Sequence, residues 1–483
     1  MQVFSSSLRI YKDAVLPVYI QLANQLMALV KAGTLKAGHR LPGTRQLAAE
    51  LSVHRKTVIR AYDELLAQGW LESRTGSGTY VAAHLPVSKP QKLLSDTHDV
   101  AKVAGFSVKM APHLQRKIAD LNIELHLDDG FPDVRIAPVL DISRAYRTQL
   151  LTGNPYTRLG YADPKGSIWL REELAAYLNI TRGLRVTPAN ILIVRGTVMG
   201  LHLACAGLLE RGDTVVTAEP GWAGAETNFL QAGANLLKIP VDEYGIDIDK
   251  LDALCCKQPV RMVYVTSHHH YPTTVALRAN RRIRLLLLAQ KHGFIIFEDD
   301  YDYDFHYQNK PLMPLASADD AGMVLYCGSF SKTISPAIRV GYLVGPENVI
   351  EHLAQLRRTI DRQGDTMLEN AMAELLQNGI IQRHLRKSLR MYQERRDIFC
   401  GLMCDFLKKY VDFKVPDGGM AVWTHFDDKI NLPDLAQGAL KKGLYFQGEN
   451  NLSAPNFTRL GFASSTPAEL ERCVEILAKL LAK

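Results

Sequence analysis

The sequence predicts a multidomain chain: a small α+β head over residues 1 to 82, a linker over 83 to 122, and an α/β body over 123 to 483 that ends in a smaller α+β unit. Three observations lead there. With 483 residues, 47% of them hydrophobic and 22% charged, the chain can bury a sizeable core and is too long for one ordinary domain. Basic charge is concentrated at the front: residues 1 to 84 hold ten Lys and Arg against five Asp and Glu, which accounts for most of the net charge of +7. From about residue 123 onward, short β-rich runs alternate with amphipathic stretches, the pattern of a largely parallel sheet with helices on both faces.

In the head, Leu22, Leu26, Leu29 and Val30 repeat at helical spacing up to Gly33. A second short helix starts at Pro42 and runs through Arg45, Leu47 and Leu51. After Ser52-Val53-His54, a third helix sets Val58, Ala61, Tyr62, Leu65 and Leu66 on one apolar stripe and leaves Arg55, Lys56 and Arg60 on other faces. Trp70 to Ser73 and Thr79 to Val81 then flank a Gly76-Ser77-Gly78 turn as a hairpin. Between 83 and 122, Pro86, Ser88, Pro90 and Ser95 among mixed charges read as a linker with at most short helical pieces. The expected strands of the body are 190–195, 213–218, 235–239, 261–267, 293–297, 323–327 and 340–344, and long helical patterns begin at about 350.

The seven scattered cysteines form no CxxC pair, which argues against a secreted disulfide scaffold or a structural zinc module and points to a reducing cytoplasm. No apolar run reaches the ~18 to 20 residues that a membrane helix needs, so no membrane partner is expected. Successive residues of a strand face opposite ways, so His268, His269 and His270 are not expected to converge on one metal ion.

A helix that opens with Arg55, Lys56, Thr57 and Arg60 suits entry into the major groove, where N-terminal side chains reach base edges and flanking cations grip phosphate. The run LPGTRQLAAELSVHRKTVIRAYDELLAQGWLESRTGSGTYV resembles the winged helix-turn-helix of the GntR family. The resemblance implies that Arg45, Arg55 and Thr57 contact double-stranded DNA and that Gly78 sits at the wing tip in the minor groove. Gly43 and His54 depart from the family's serines. At His54 the expectation is a recognition helix that lacks one capping bond or takes it from Ser52.

In the body, Ser329-Phe330-Ser331-Lys332 with Arg339 seven residues on places an amine, hydroxyls and a guanidinium together. The amine suits a Schiff base with an aldehyde, and the other groups suit a neighbouring phosphate. Asp299 and Tyr301 follow the apolar run 294–297. A buried aspartate there can keep a pyridine nitrogen protonated, and a tyrosine can bond the ring's phenolic oxygen, which points to pyridoxal phosphate. Gly196, Thr197 and Val198 open a helix after a strand, where backbone N–H groups cradle phosphate. Trp222 ends another strand within reach of a planar ring.

With TRLGYADPKGSIWLREELAAYL and VTSHHHYPTTVAL, this region is similar to fold-type I aminotransferases over about 360 residues. The fusion of such a body to a GntR-like head resembles the MocR subfamily of bacterial regulators. The resemblance implies that Lys332 carries the cofactor, Asp299 pairs with the pyridine nitrogen, Tyr301 bonds the phenolic oxygen, Ser329 and Arg339 hold the phosphate and Trp222 stacks on the ring. It also implies that Arg459 binds a carboxylate, and that the chain is a head-to-tail homodimer reading paired operator half-sites. A regulator that senses pyridoxal phosphate or a small amino compound is the expected function. A working aminotransferase with an appended DNA-binding head is the alternative. Tyr271-Pro272-Thr273-Thr274 replaces the usual Asn-Pro-x-Gly run, so an asparagine that bonds the cofactor is missing, and Gly224 offers no second cation beside Trp222.

Overall fold

The structure, a computed structural model, describes residues 8–11, 14, 16–85, 102–109, 111–114, 123–307, 312–448 and 454–482. Much of the expected linker, 86–101 and 115–122, lies outside the described residues. The chain divides into two compact units, Met1–Lys109 and Met110–Lys483.

The first unit packs α1 (Val18–Lys31), α2 (Thr44–Glu50) and α3 (Arg55–Ala67) beside an antiparallel hairpin of β1 (Leu71–Arg74) and β2 (Gly78–Val81). Its core takes Leu22, Leu26, Val30, Leu47, Val58, Ala61, Tyr62 and Leu65 from the residues at helical spacing and is closed by Trp70, Leu71 and Val81, while Leu29, Leu51 and Leu66 of the same pattern pack against it only partly buried. The Tyr62 hydroxyl donates to the Pro42 carbonyl at 2.9 Å and ties α3 to the turn before α2.

Two local expectations change. His54 is itself the N-cap of α3, its Nδ1 accepting from the Lys56 amide at 3.2 Å, so an imidazole nitrogen does the work of the missing serine oxygen and Ser52 is not needed. The hairpin turn is residues 75–77, with Gly76 at its tip, and Gly78 is the first residue of β2, opposite Arg74. Replacing His54 by alanine is expected to cost the head about 1 kcal/mol, read as a lower melting temperature, with a smaller loss for His54→Asn, which can still cap.

The second unit begins with β3 (Leu125–Leu127), α4 (Val139–Leu151), α5 (Pro155–Arg158) and α6 (Ile168–Arg182). It continues with β4 (Ile191–Val194), α7 (Thr197–Leu208), β5 (Thr214–Glu219), α8 (Ala223–Gln231), β6 (Asn235–Asp242), β7 (Gly245–Ile246), α9 (Ile248–Cys255) and β8 (Met262–Val265). Next come α10 (Ala279–His292), β9 (Ile295–Asp300), β10 (Val324–Ser329), β11 (Gly341–Val344), α11 (Glu347–Ile360), α12 (Thr366–Gln377) and α13 (Ile380–Leu407). The chain closes with β12 (Val411–Phe413), β13 (Ala421–Phe426), α14 (Leu432–Leu440), β14 (Leu444–Phe446), β15 (Phe457–Gly461) and α15 (Pro467–Leu481).

Eight of these strands form one sheet in the order β4-β11-β10-β9-β8-β5-β6-β7. The pairs linking β10, β9, β8, β5 and β6 are parallel, and β11 and β7 run against their neighbours. The strands read as continuous apolar runs because both faces are covered. Ile191, Ile193, Val263, Val265 and Ile296 pack with Leu174, Leu285, Ala289 and Leu375 on one side. Leu192, Val194, Met262, Phe297 and Leu343 pack with Leu201, Phe229, Ile350 and Leu353 on the other. The smaller unit is the antiparallel sheet β12-β13-β15 with its helices, and β14 pairs in parallel with β3. No helix among the described residues is long and apolar enough to cross a membrane.

Candidate cofactor and DNA-binding sites

Every body residue singled out from sequence, Arg339 and Arg459 apart, follows or ends a strand that runs in the same direction. Gly196 follows β4, Trp222 follows β5, Asp299 and Tyr301 lie at the end of β9, and Ser329 and Lys332 lie at the end of β10. In an open parallel sheet the carboxyl ends of the strands form one edge, where helix N-termini and loops converge. Arg339 enters the same edge just before β11.

Two hydroxyls and a guanidinium meet at this edge. Arg339 Nη1 donates to Ser331 Oγ at 3.1 Å, the Ser329 hydroxyl donates to Ser331 Oγ at 3.0 Å, and Arg339 Nη2 bonds the Arg195 carbonyl. Gly196 is the N-cap of α7, with φ +84°, and a Cβ there would meet Arg339 Nη2 at 2.8 Å. Backbone conformation and close approach both demand glycine. No side chain caps α7, so the amides that open it at Thr197 and Val198 lie uncapped at the positive end of the helix dipole.

Asp299 is buried in β9, which runs on through Asp300 rather than stopping before the acidic run. Each of these carboxylates has partners. Glu298 Oε1 accepts from the Ser267 hydroxyl at 2.5 Å and the Leu315 amide at 2.8 Å, and Asp300 Oδ2 accepts from Tyr326 at 2.6 Å. Asp299 Oδ2 accepts from the Tyr264 hydroxyl at 2.7 Å, while its Oδ1 is buried with no hydrogen-bond partner. Burial pushes the Asp299 carboxyl up to about 7, against the bond from Tyr264 and the influence of the nearby Thr197 hydroxyl, which hold it down. An unpartnered buried carboxylate oxygen is the group that a protonated ring nitrogen satisfies, so the residues fit pyridoxal phosphate. Tyr264 was missed from sequence; its place in the middle of an apolar β8 run gave no local signal.

The Lys332 amine donates to the Gly130 carbonyl at 2.7 Å and lies 4.2 Å from the centre of the Phe131 ring. Burial lowers its pKa, opposed by the carboxylates of Asp129 and Asp128, which favours the neutral nucleophile. The Tyr301 hydroxyl donates to the His269 carbonyl at 2.9 Å. Trp222 opens α8 and lines a small cleft with Thr217, Gly221, Tyr264, Thr266 and Tyr271. A Cβ on Gly224 would strike its indole at 2.6 Å, so the missing side chain there makes room for the ring.

Arg459, on β15, is buried between Asp129 and the Pro272 carbonyl. The three histidines do not lie on a strand, since β8 ends at Val265, and each ring has its own partner. His268 bonds the Leu312 carbonyl, His269 bonds Asp302 at 2.8 Å, and His270 bonds Thr273 at 2.8 Å.

On the head, Arg45, Arg55 and Lys56 are exposed and Thr57 is half-buried at the start of α3. Arg55 Nε reaches Thr44 Oγ1 at 3.4 Å, which links α2 to α3. The Arg60 guanidinium stacks 4.1 Å from the centre of the Tyr19 ring, so part of its donor surface is turned to the head itself. Arg40 is a basic residue that sequence reading did not single out. It forms a β-bridge with Tyr80, and its guanidinium lies where a Cβ on Gly78 would come within 3.3 Å.

Residues 18–81 match the family of bacterial regulatory proteins of the gntR type, and residues 136–477 match aminotransferase class I and II. The chain is 30% identical to a probable rhizopine catabolism regulatory protein, MocR, of Rhizobium meliloti, over 90% of this chain and 87% of that protein. It is also 30% identical to the HTH-type transcriptional regulator YisV of Bacillus subtilis, over 96% of each chain. Among solved structures, the kynurenine aminotransferase of Pyrococcus horikoshii in complex with PMP is similar with a TM-score of 0.68 and 25% identity, over 75% of this chain and 91% of that one.

Proposed function

We infer the function from one premise: this chain belongs to the MocR-type transcriptional regulators, in which a GntR DNA-binding head is joined to an aminotransferase class I and II body. On that premise we propose that the body holds pyridoxal phosphate and senses a primary amino compound. The observation that carries the reading is the buried, unpartnered Asp299 Oδ1.

When bound, pyridoxal phosphate supplies an aldehyde that condenses with primary amines and a ring that withdraws electrons when its nitrogen is protonated. Lys332 presents an amine whose basicity is lowered by burial. Asp299 holds a proton at the ring nitrogen through Oδ1 while Tyr264 fixes its other oxygen. Ser329, Ser331, Arg339 and the amides that open α7 would hold the phosphate, and Trp222 would stack on the ring. Tyr301 would serve the phenolic oxygen by turning its hydroxyl from the His269 carbonyl, and Arg459 lies at the ligand end of the site beside Asp129. A ligand shifts DNA affinity by preferring one arrangement of head and body, and such coupling is typically about 1–3 kcal/mol. We further propose a homodimer that reads paired half-sites.

The test is an absorption titration of the full chain with pyridoxal phosphate and then with amines and amino acids, with DNA binding followed in parallel. A compound that shifts both signals together supports the sensor. A cofactor spectrum that never differs from free pyridoxal phosphate sinks it. Conversion to the aminated cofactor, with recovery on adding a keto acid, marks a working aminotransferase instead.

Arg55→Ala is expected to weaken binding to a duplex selected by the native protein from a random pool by about 1–3 kcal/mol, roughly 5- to 150-fold, in a mobility-shift titration. The affinity of the native head should fall steeply with salt, because its contacts release counterions.

A further inference from the structure

The stretch Asp128-Asp129-Gly130-Phe131, just after β3, reaches two of the site's basic side chains, Lys332 and Arg459. Asp129 Oδ1 lies 2.9 Å from Arg459 Nε, and Asp129 Oδ2 accepts from the Tyr271 hydroxyl at 2.8 Å. The Gly130 carbonyl and the Phe131 ring both face the Lys332 amine. Arg459 Nη1 already donates to the Pro272 carbonyl at 3.0 Å, and a Cβ on Gly130 would come within 3.3 Å of Nη2. Asp129 is thus held by Tyr271 through Oδ2 and stands in an ion pair with Arg459 through Oδ1, although Oδ1 and Nε, both buried, are not aligned for a hydrogen bond.

We propose that Asp129 is a built-in carboxylate for Arg459, and that the ligand of the body is therefore a primary amine with no carboxylate beside its amino group, of the diamine or amino-alcohol class. The inference rests on the reading that Lys332 and its neighbours hold pyridoxal phosphate. A second carboxylate brought to Arg459 would lie against the charge of Asp129 in a site where water screens poorly. An incoming ammonium meets the opposite surroundings: a carbonyl oxygen, an aromatic face and a carboxylate, the groups that already receive Lys332. Tyr271 completes the device. It stands where aminotransferases of this fold usually carry the asparagine, and its hydroxyl is what fixes Asp129. The departure from the usual run and the internal carboxylate are one change.

Calorimetric titration of the full chain with propionate and hexanoate, carboxylates that carry no amine, tests the pairing without cofactor chemistry. Native protein is expected to bind them at least about tenfold more weakly than Asp129→Asn, a gap that removing one like charge from a half-buried position beside the guanidinium supplies. The gain should vanish in the Asp129→Asn, Arg459→Lys double variant. Tyr271→Phe, which keeps the charge but releases the carboxylate, should fall between native and Asp129→Asn. Native protein that binds propionate as tightly as Asp129→Asn overturns the proposal. Separately, protein loaded with pyridoxal phosphate is titrated with 1,4-diaminobutane, ethanolamine and alanine, followed by cofactor absorbance. Half-shifts for the first two at roughly a tenth of the alanine concentration are expected, and the reverse order overturns the ligand class. Protein that retains no pyridoxal phosphate would refute the proposed function, while the propionate result would still decide the pairing of Asp129 with Arg459.

Discussion

Lys332→Ala is expected to abolish covalent retention of pyridoxal phosphate. After borohydride reduction and denaturation, the native chain should carry the pyridoxyl absorbance and the variant none, and DNA binding by the variant should no longer respond to any amine. The effect is all-or-none because the bond needs a primary amine at that position, and the environment of Lys332 is tuned to supply one. Burial lowers its pKa, the Asp129 and Asp128 carboxylates oppose that, and the Gly130 carbonyl fixes its direction. Lys332→Arg keeps a basic side chain at the position but cannot condense with an aldehyde, so it too should retain no label. A variant chain that still holds the label after denaturation would remove Lys332 from its assigned role.

The second large effect concerns pH and Asp299. Its carboxyl is raised in the folded chain from an ordinary 3.8 to about 7, chiefly by burial. The folded chain therefore holds this proton more tightly than the unfolded chain. The stability contributed by the group is fully present below about pH 4 and is lost as pH rises through about 7. In protein free of pyridoxal phosphate, the loss should amount to roughly 2 to 4 kcal/mol and should be absent in Asp299→Asn, so the difference between the two denaturation curves isolates it. A protonated ring nitrogen at Oδ1 would favour the carboxylate and reverse the trend. Stabilisation by pyridoxal phosphate should thus be larger at pH 8 than at pH 6 in the native chain and nearly flat in the variant. A native chain whose gain on loading is independent of pH would contradict this account of Asp299.

What the sequence discloses and what it withholds follow one division. Features set by neighbours in the chain were legible: the apolar stripe of α3, the buried runs that became β4, β8 and β10, and the lysine and aspartate at strand ends. Features set by partners far along the chain were not. Tyr264 reaches Asp299 because β8 and β9 run in parallel with Tyr264 beside Phe297, a register that no local pattern reveals. The pairing of Asp129 with Arg459 joins the first strand of the body to its last. The acidic run 298–300 looked like the end of a strand because three carboxylates are costly to bury; Ser267, Tyr264, Tyr326 and the amides of Leu315 and Ala316 offset that cost. The cap at His54 and the position of Gly78 turned on single atoms and on one step of register, below the grain of any sequence pattern.

The one-way run of the parallel strands leaves the sheet with a reactive margin and a silent one. The turns that lead into β5, β8 and β10, at 210–213, 256–261 and 319–323, all lie at the silent margin, away from Gly196, Trp222, Asp299 and Lys332. Added residues there lengthen a loop, and the entropy of closing a loop grows only with the logarithm of its length. The chain thus offers natural sites for a tag, a fluorophore or an inserted domain at the end of the sheet opposite its chemistry, where a reporter can watch the body without touching what it binds.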